Sequence, residues 1–389
     1  MIYLDYNATT PILPEVVDAM VPFLREHFGN PSSAHALGRV ARDAMERARG
    51  QVAALLRCDP DEVVFTSGGT ESNNLAIRGV TEALPDRRQV VTSVMEHPAV
   101  VAPCSWLERH GWRVTRAGVD EDGRVRAQSV ASSIGPDTAL VTIMHSNNET
   151  GVLQPIAEIA AAARAAGAIV HTDAAQSVGK IPVHVRELGI HLLSLVGHKL
   201  YAPKGVGALY VRRGTPLLPF ALGGGHERGL RPGTENVASI VGLGVACERA
   251  RLDLDVEGER VRGLRDLLWE RLKGQIPGLA MNGHRVERLP NTLSVRFPDV
   301  SGIALLAATP SLAASTGSAC HGGEAPQVIV AMGVPPRDAL GTVRLTLGRG
   351  STEEQVRRAA EVLSEAWRAV SRGRPMPDGV GGLEAGEPL

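Results

Sequence analysis

Between about residue 60 and residue 215 the chain alternates short apolar, β-rich runs with alanine-rich stretches of helical spacing. The runs are Val63–Thr66, Gln89–Ser93, 139–144, 168–172, 191–196 and Gly207–Val211. Their hydrophobicity is nearly continuous, as expected of strands buried on both faces. Helical patterns lie between them; 156–166, for example, ends at Gly167, a residue suited to a helix carboxyl cap. Strand–helix–strand alternation of this kind predicts an α/β fold: a mostly parallel sheet with helices on both faces.

The pattern then changes. Residues 236–272 read as one or two long helices, with Val237, Ile240, Val241 and Leu243, then Val261, Leu264 and Leu268, on helical spacing. Strand-like runs at 293–297 and 343–347 and a helical stretch at 353–372 predict a smaller α+β unit. The expected division is a large domain over 15–250, a small domain made of 1–14 with 251–372, and a disordered tail over 373–389. That tail is rich in Gly, Pro and Glu and has little to bury. With 389 residues there is enough chain for two cores.

Composition mostly excludes. Charges nearly cancel, at −1 overall, so no broad nucleic-acid or anionic-membrane footprint is expected. No apolar stretch approaches the ~20 residues that span a bilayer. Met1–Asp5 reads as a strand, not an export signal. The four cysteines, Cys58, Cys104, Cys247 and Cys320, lack metal-site spacing, so no metal centre is expected and a cytoplasmic location fits.

Candidate chemistry gathers at the ends of the predicted strands. Lys199, one of only four lysines, follows the run that ends at Val196, and Asp173 closes the run before it. In open α/β sheets ligands bind at the carboxyl ends of strands. A lysine and a carboxylate there can hold pyridoxal phosphate, the lysine as a Schiff base and the acid opposite the pyridine nitrogen. Either residue alone reads equally as a loop lysine or a helix-capping aspartate. Thr66-Ser-Gly-Gly-Thr-Glu-Ser-Asn-Asn74 follows a strand and opens a helix. Its glycines and leading amides suit a phosphate, although a bland turn explains it in isolation.

His97, in Met-Glu-His-Pro, also follows a strand and could stack on a flat cofactor or serve structurally. Asn148 lies in an Asn-Asn-Glu-Thr-Gly turn after another strand. The glycine-rich, basic segment 223–236 suggests an anion contact or a surface loop. Cys320 sits among small residues, with His321 beside it, where a thiol is placed for reactivity and not for packing. Arg344 could clamp a carboxylate, or lie on a strand surface.

Taken in order, these segments resemble the cysteine desulfurases of the NifS/IscS type, class-V aminotransferase relatives with the type-I pyridoxal-phosphate fold. The resemblance runs from Tyr3-Leu-Asp-Tyr-Asn-Ala-Thr-Thr-Pro11 to about Arg349. It implies a homodimeric enzyme that takes L-cysteine to L-alanine and hands the sulfur on to an acceptor protein. By that likeness Lys199 holds pyridoxal 5'-phosphate and removes the substrate's α-proton, and Asp173 faces the pyridine nitrogen. His97 stacks on the ring, and Gln176 and Asn148 contact its oxygen or the substrate. Gly69, Thr70 and His198 bind the phosphate, joined by Thr234 of the other subunit. Arg344 grips the substrate carboxylate, and Cys320 becomes the persulfide. Two departures stand out. Val196 occupies a place where relatives often carry a hydroxyl, and the segment between Cys320 and Met332-Gly333 is short. A selenocysteine lyase, with the same Val-Gly-His-Lys form, is the alternative enzyme. A non-catalytic scaffold would show no visible-absorbing cofactor.

Overall fold

The computed structural model describes residues 1–317 and 325–373. The chain enters on a two-residue strand, β1 (Ile2–Tyr3). Seven strands then build one sheet: β2 (Val63–Thr66), β3 (Gln89–Ser93), β4 (Arg113–Ala117), β5 (Thr138–Thr142), β6 (Ile169–Asp173), β7 (Leu192–Val196) and β8 (Gly207–Val211). Their order is β2-β8-β7-β6-β5-β3-β4. All neighbours pair in parallel except β8, which lies antiparallel between β2 and β7.

Successive side chains of a strand point to opposite faces, and here both faces are covered. Val63, Phe65, Val91, Val141, Val170 and Leu193 join a core with helices Ala36–Leu56 and Ile156–Ala165. Their neighbours Val64, Val90, Leu140, Ile169 and Leu192 join another with helices Gly69–Ala83 and Pro98–Arg109. This double burial explains the unbroken apolar runs of the sequence. It also explains why β4 leaves no such trace: it is an edge strand whose Arg113 and Arg116 are exposed.

The stretch expected as one or two helices is a single helix, Val237–Gln275, of 39 residues. Ile240, Leu243, Ala246 and Cys247 pack on the large sheet, whereas Val261, Leu268 and Leu272 join a further core. That core lies on the antiparallel strands β9 (Ala280–Met281), β10 (Thr292–Arg296) and β12 (Thr342–Thr346) and on helix Glu353–Ser371. The remaining strand, β11 (Leu312–Ala313), pairs in parallel with β1. After β1 the chain bridges Asp5 to Thr346, then crosses to the large sheet, where the Thr10 amide and hydroxyl both donate to the His198 carbonyl. Among the described residues no helix is long and apolar enough to cross a membrane. The expected tail lies, apart from Gly373, outside the described residues.

The glycine-rich segment 223–236 is tied down at one buried point. Arg49 donates to both oxygens of Glu227 at 2.8 Å, and the Phe65 amide of β2 donates to the same carboxylate at 2.8 Å. Both side chains are nearly inaccessible, at 4% and 1%. Removing one partner of a buried pair strands the other charge, at a cost of about 3–5 kcal/mol. Glu227→Ala is therefore expected to lose about that much stability in urea denaturation; a loss under about 1 kcal/mol would show that the pair does not anchor the segment.

Candidate active site

Parallel strands deliver their carboxyl ends to one edge of a sheet, and the sequence-predicted residues follow those ends. Gly69 and Thr70 come after β2, His97 after β3, Asn148 after β5, and Gln176 after Asp173 of β6. His198 and Lys199 leave β7 on a single 3-10 turn. Counting Arg344 of β12, these eight residues and Asp173 line a single cavity of about 380 Å³.

Lys199 has no hydrogen-bond partner for Nζ among the described residues, and burial pulls its pKa down, partly opposed by Asp173. A depressed ammonium yields the neutral amine needed for carbonyl chemistry more readily. Asp173 is held on both oxygens: Asn73 Nδ2 donates at 2.7 Å and the Ala175 amide at 2.9 Å. His97 caps the helix that follows it, its Nδ1 accepting from the Ala99 amide at 3.1 Å. In the neutral ring the hydrogen therefore sits on Nε2. Burial lowers the His97 pKa and favours that neutral form, against the pull of Asp173. His198 is pushed down to about 4, by burial first and then by Lys199.

The helix Gly69–Ala83 opens without any side-chain cap, which leaves its first amides available to an anion. A Cβ on Gly69 would come within 2.6 Å of Val196 Cγ2, so Val196 packs a methyl group against this amino terminus. No hydroxyl is offered there.

Arg344 is buried, not a surface strand residue. One Nη donates to Asp5 at 2.7 Å and the other to the Asn148 carbonyl at 3.1 Å, while Nε has no partner among the described residues. Four other residues that pattern reasoning did not single out complete the pocket. Asn7 reaches it from the amino-terminal segment, and Asn73 holds Asp173. Glu149 is a buried carboxyl whose Oε2 has no partner among the described residues; burial lifts its pKa to about 7, against the lowering by Arg344. Glu96 accepts from Ser93 Oγ at 2.6 Å and from the Met144 amide at 2.9 Å, and burial raises it to about 8.

Two expected residues are not among those lining this cavity in the described part of the chain. Cys320 is outside the described residues. Thr234 lines a separate cavity with Thr66, Ser67 and Arg231. The other three cysteines are unpaired, and burial pushes the Cys58 and Cys104 thiols up to about 12 and Cys247 higher still. No group of side chains suited to a metal ion occurs among the described residues.

The raised Glu96 pKa has a sign. Folded Glu96 keeps its proton up to about 8, against 4.5 for an ordinary carboxyl. Its favourable contribution is thus complete below the ordinary value and is lost as pH rises through the folded one. Glu96→Gln keeps the neutral shape, so its stability relative to wild type is expected to grow between about pH 5 and about pH 8, by an amount on the order of a few kcal/mol in urea denaturation. A difference that stays flat over that range would contradict the burial of a protonated Glu96.

With this geometry in view, the comparisons are specific. Residues 2–359 match the family model for aminotransferase class-V. A protein of Gluconacetobacter diazotrophicus named cysteine desulfurase is 47% identical over 99% of this chain and 98% of its own length. Cysteine desulfurase NifS of Azotobacter vinelandii is 47% identical over 92% and 90%. A solved structure titled NifS-like protein superposes with a TM-score of 0.88 at 36% identity, covering 95% of this chain and 99% of the other. Another, titled SspA in complex with cysteine, gives 0.81 at 36% identity over 90% and 100%. Strand-end lysine, paired aspartate, uncapped helix and buried arginine thus occur in a chain that belongs to the class-V aminotransferase family, among its cysteine desulfurases of the NifS/IscS type.

Proposed function

We propose that this chain is a pyridoxal-phosphate-dependent cysteine desulfurase, converting L-cysteine to L-alanine and passing the sulfur, as a Cys320 persulfide, towards iron–sulfur cluster or thio-cofactor synthesis. The observation that carries this reading is the convergence of Lys199, Asp173, the bare helix start at Gly69 and Arg344 on one cavity. The donor set suits the cofactor. Uncapped amides of Gly69 and Thr70, with His198, form the phosphate end, and Asp173, fixed by Asn73, supplies the acid for the ring nitrogen. His97 offers a neutral ring for stacking, and Asn148 and Gln176 offer amides. Bound there, pyridoxal phosphate supplies an electron-accepting ring joined to the substrate nitrogen.

The protein's own groups do the rest. Lys199 holds the cofactor and, once displaced by the substrate amine, takes the α-proton on Nζ. Arg344 binds the carboxylate, its guanidinium pinned by Asp5 and the Asn148 carbonyl. The Cys320 thiolate then attacks the substrate sulfur: an S–S bond forms, the Cβ–S bond breaks, and the bonding pair stays on carbon until a proton completes alanine. His97, a neutral imidazole in the same cavity, is placed to relay protons.

The same reading makes residues 15–250 the cofactor-binding domain, and 1–14 with 251–372 the domain that carries the cysteine loop. It also makes the enzyme a cytoplasmic homodimer with Thr234 contributed across the interface. Exposed Leu24, Phe28 and Leu222 support a surface that a second copy covers. Purified protein is expected to form alanine and persulfide from L-cysteine. Cys320→Ala should keep the cofactor's visible absorbance but lose alanine formation on the order of a hundredfold or more, and Lys199→Ala should lose the covalently held cofactor. Wild-type activity in Cys320→Ala, or turnover of L-selenocysteine alone, would replace this reading with a lyase.

A further inference from the structure

Lys180 is a cation that the reaction as described does not use. It lies four residues beyond Gln176, and its Nζ donates to Gln176 Oε1 at 2.9 Å and to Asn7 Oδ1 at 3.4 Å. Gln176 Nε2 in turn donates to the Asn7 carbonyl at 3.0 Å. With Oε1 committed to an ammonium the amide cannot flip, and its remaining N–H is the one group it can offer to the cavity. Asn7 extends the same network, accepting from Asn291 at 2.9 Å and donating to the Asn148 carbonyl at 3.2 Å, the acceptor that Arg344 also uses.

Among the described residues no carboxylate is paired with the Lys180 ammonium. The charged groups acting on Lys180 are Lys199 and Arg344, both cations, and with burial they draw its pKa down to about 7. Of the nearby anions, Asp173 of the cavity accepts from Asn73, and Asp5 is paired with Arg344. Burial keeps Glu96 and Glu149 raised, and His97 and His198 lowered. On its other side Lys180 borders a small cleft with Tyr201, Glu257 and Arg349, where Glu257 is already paired to Arg260 at 2.8 Å. An enclosed ammonium that has no carboxylate partner among the described residues is costly unless a bound anion offsets it.

We propose that Lys180 is a positioning residue for the cofactor: acting through Gln176, it fixes the amide with N–H towards the anionic ring oxygen of pyridoxal phosphate and sets a positive charge behind that oxygen. This rests on the cofactor reading above. A fixed cation discourages a proton on the Lys199 nitrogen joined to the cofactor, so removing the charge lets that proton persist to higher pH.

The test is a pH titration of the visible absorbance of wild-type holoenzyme, Lys180→Gln, Lys180→Met and Lys180→Arg, without substrate. Lys180→Gln keeps a donor of similar reach and separates charge from packing. The transition should move up by about one pH unit in Lys180→Gln and Lys180→Met and stay in place in Lys180→Arg. A wild-type band whose transition is unmoved in Lys180→Gln overturns the assignment of Lys180 alone. Absence of any band from wild type incubated with pyridoxal phosphate overturns the cofactor reading and this proposal with it.

Discussion

The site depends on one geometric constraint: parallel strands end at the same edge. Register sets Asp173 of β6 beside Ser194 of β7, so the chain leaving β7 delivers Lys199 to the side of the sheet where Asp173 already stands. The neighbouring strands add His97, Asn148 and the helix start at Gly69 by the same rule. No single loop has to fold precisely for these groups to meet, because the hydrogen-bonded ladder fixes their spacing.

Arg344 cannot come from that ladder, since it belongs to the smaller antiparallel sheet. The amino-terminal segment joins the two. Asp5 bridges to β12 and pairs with Arg344, and Asn7 contacts Asn148, Gln176 and Thr292 across both cores. A shift of one sheet against the other would break several buried hydrogen bonds at once, each expensive to leave unmade. The long helix Val237–Gln275, which packs on both cores, resists the same motion. Charge is handled as carefully as position: burial raises Glu96 and Glu149 and lowers His97 and Lys199, in each case favouring the neutral form.

Much of the architecture was legible because double burial writes itself as continuous apolar runs. Val63–Thr66, Gln89–Ser93 and Gly207–Val211 fall where the pattern puts them, and β5, β6 and β7 differ from the runs at 139–144, 168–172 and 191–196 by one or two residues at one or both ends. Arg113–Ala117 was not legible, because only Ala117 of this strand is buried and its exposed Arg113 and Arg116 leave no apolar run. The two-residue strands are too short to carry a period. Strand-end residues such as Lys199, Asp173 and His97 could be found by position, and His97 proves to be both a helix cap and a cavity residue. Their partners could not. Asn73 meets Asp173 from 100 residues away and Asp5 meets Arg344 from 339, separations at which no local pattern survives. The roles assigned to these residues came from the resemblance, and the geometry gives each its physical setting.

Under the proposed function Lys199, and no other lysine, carries the cofactor. The chain has only Lys180, Lys199, Lys204 and Lys273, so the alternatives are few. Reduction of the holoenzyme with borohydride fixes the lysine–cofactor bond, and peptide mass mapping then locates it. The label is expected on the peptide bearing Lys199. A label on Lys180 or Lys204, or none at all on a protein that binds pyridoxal phosphate, would contradict it.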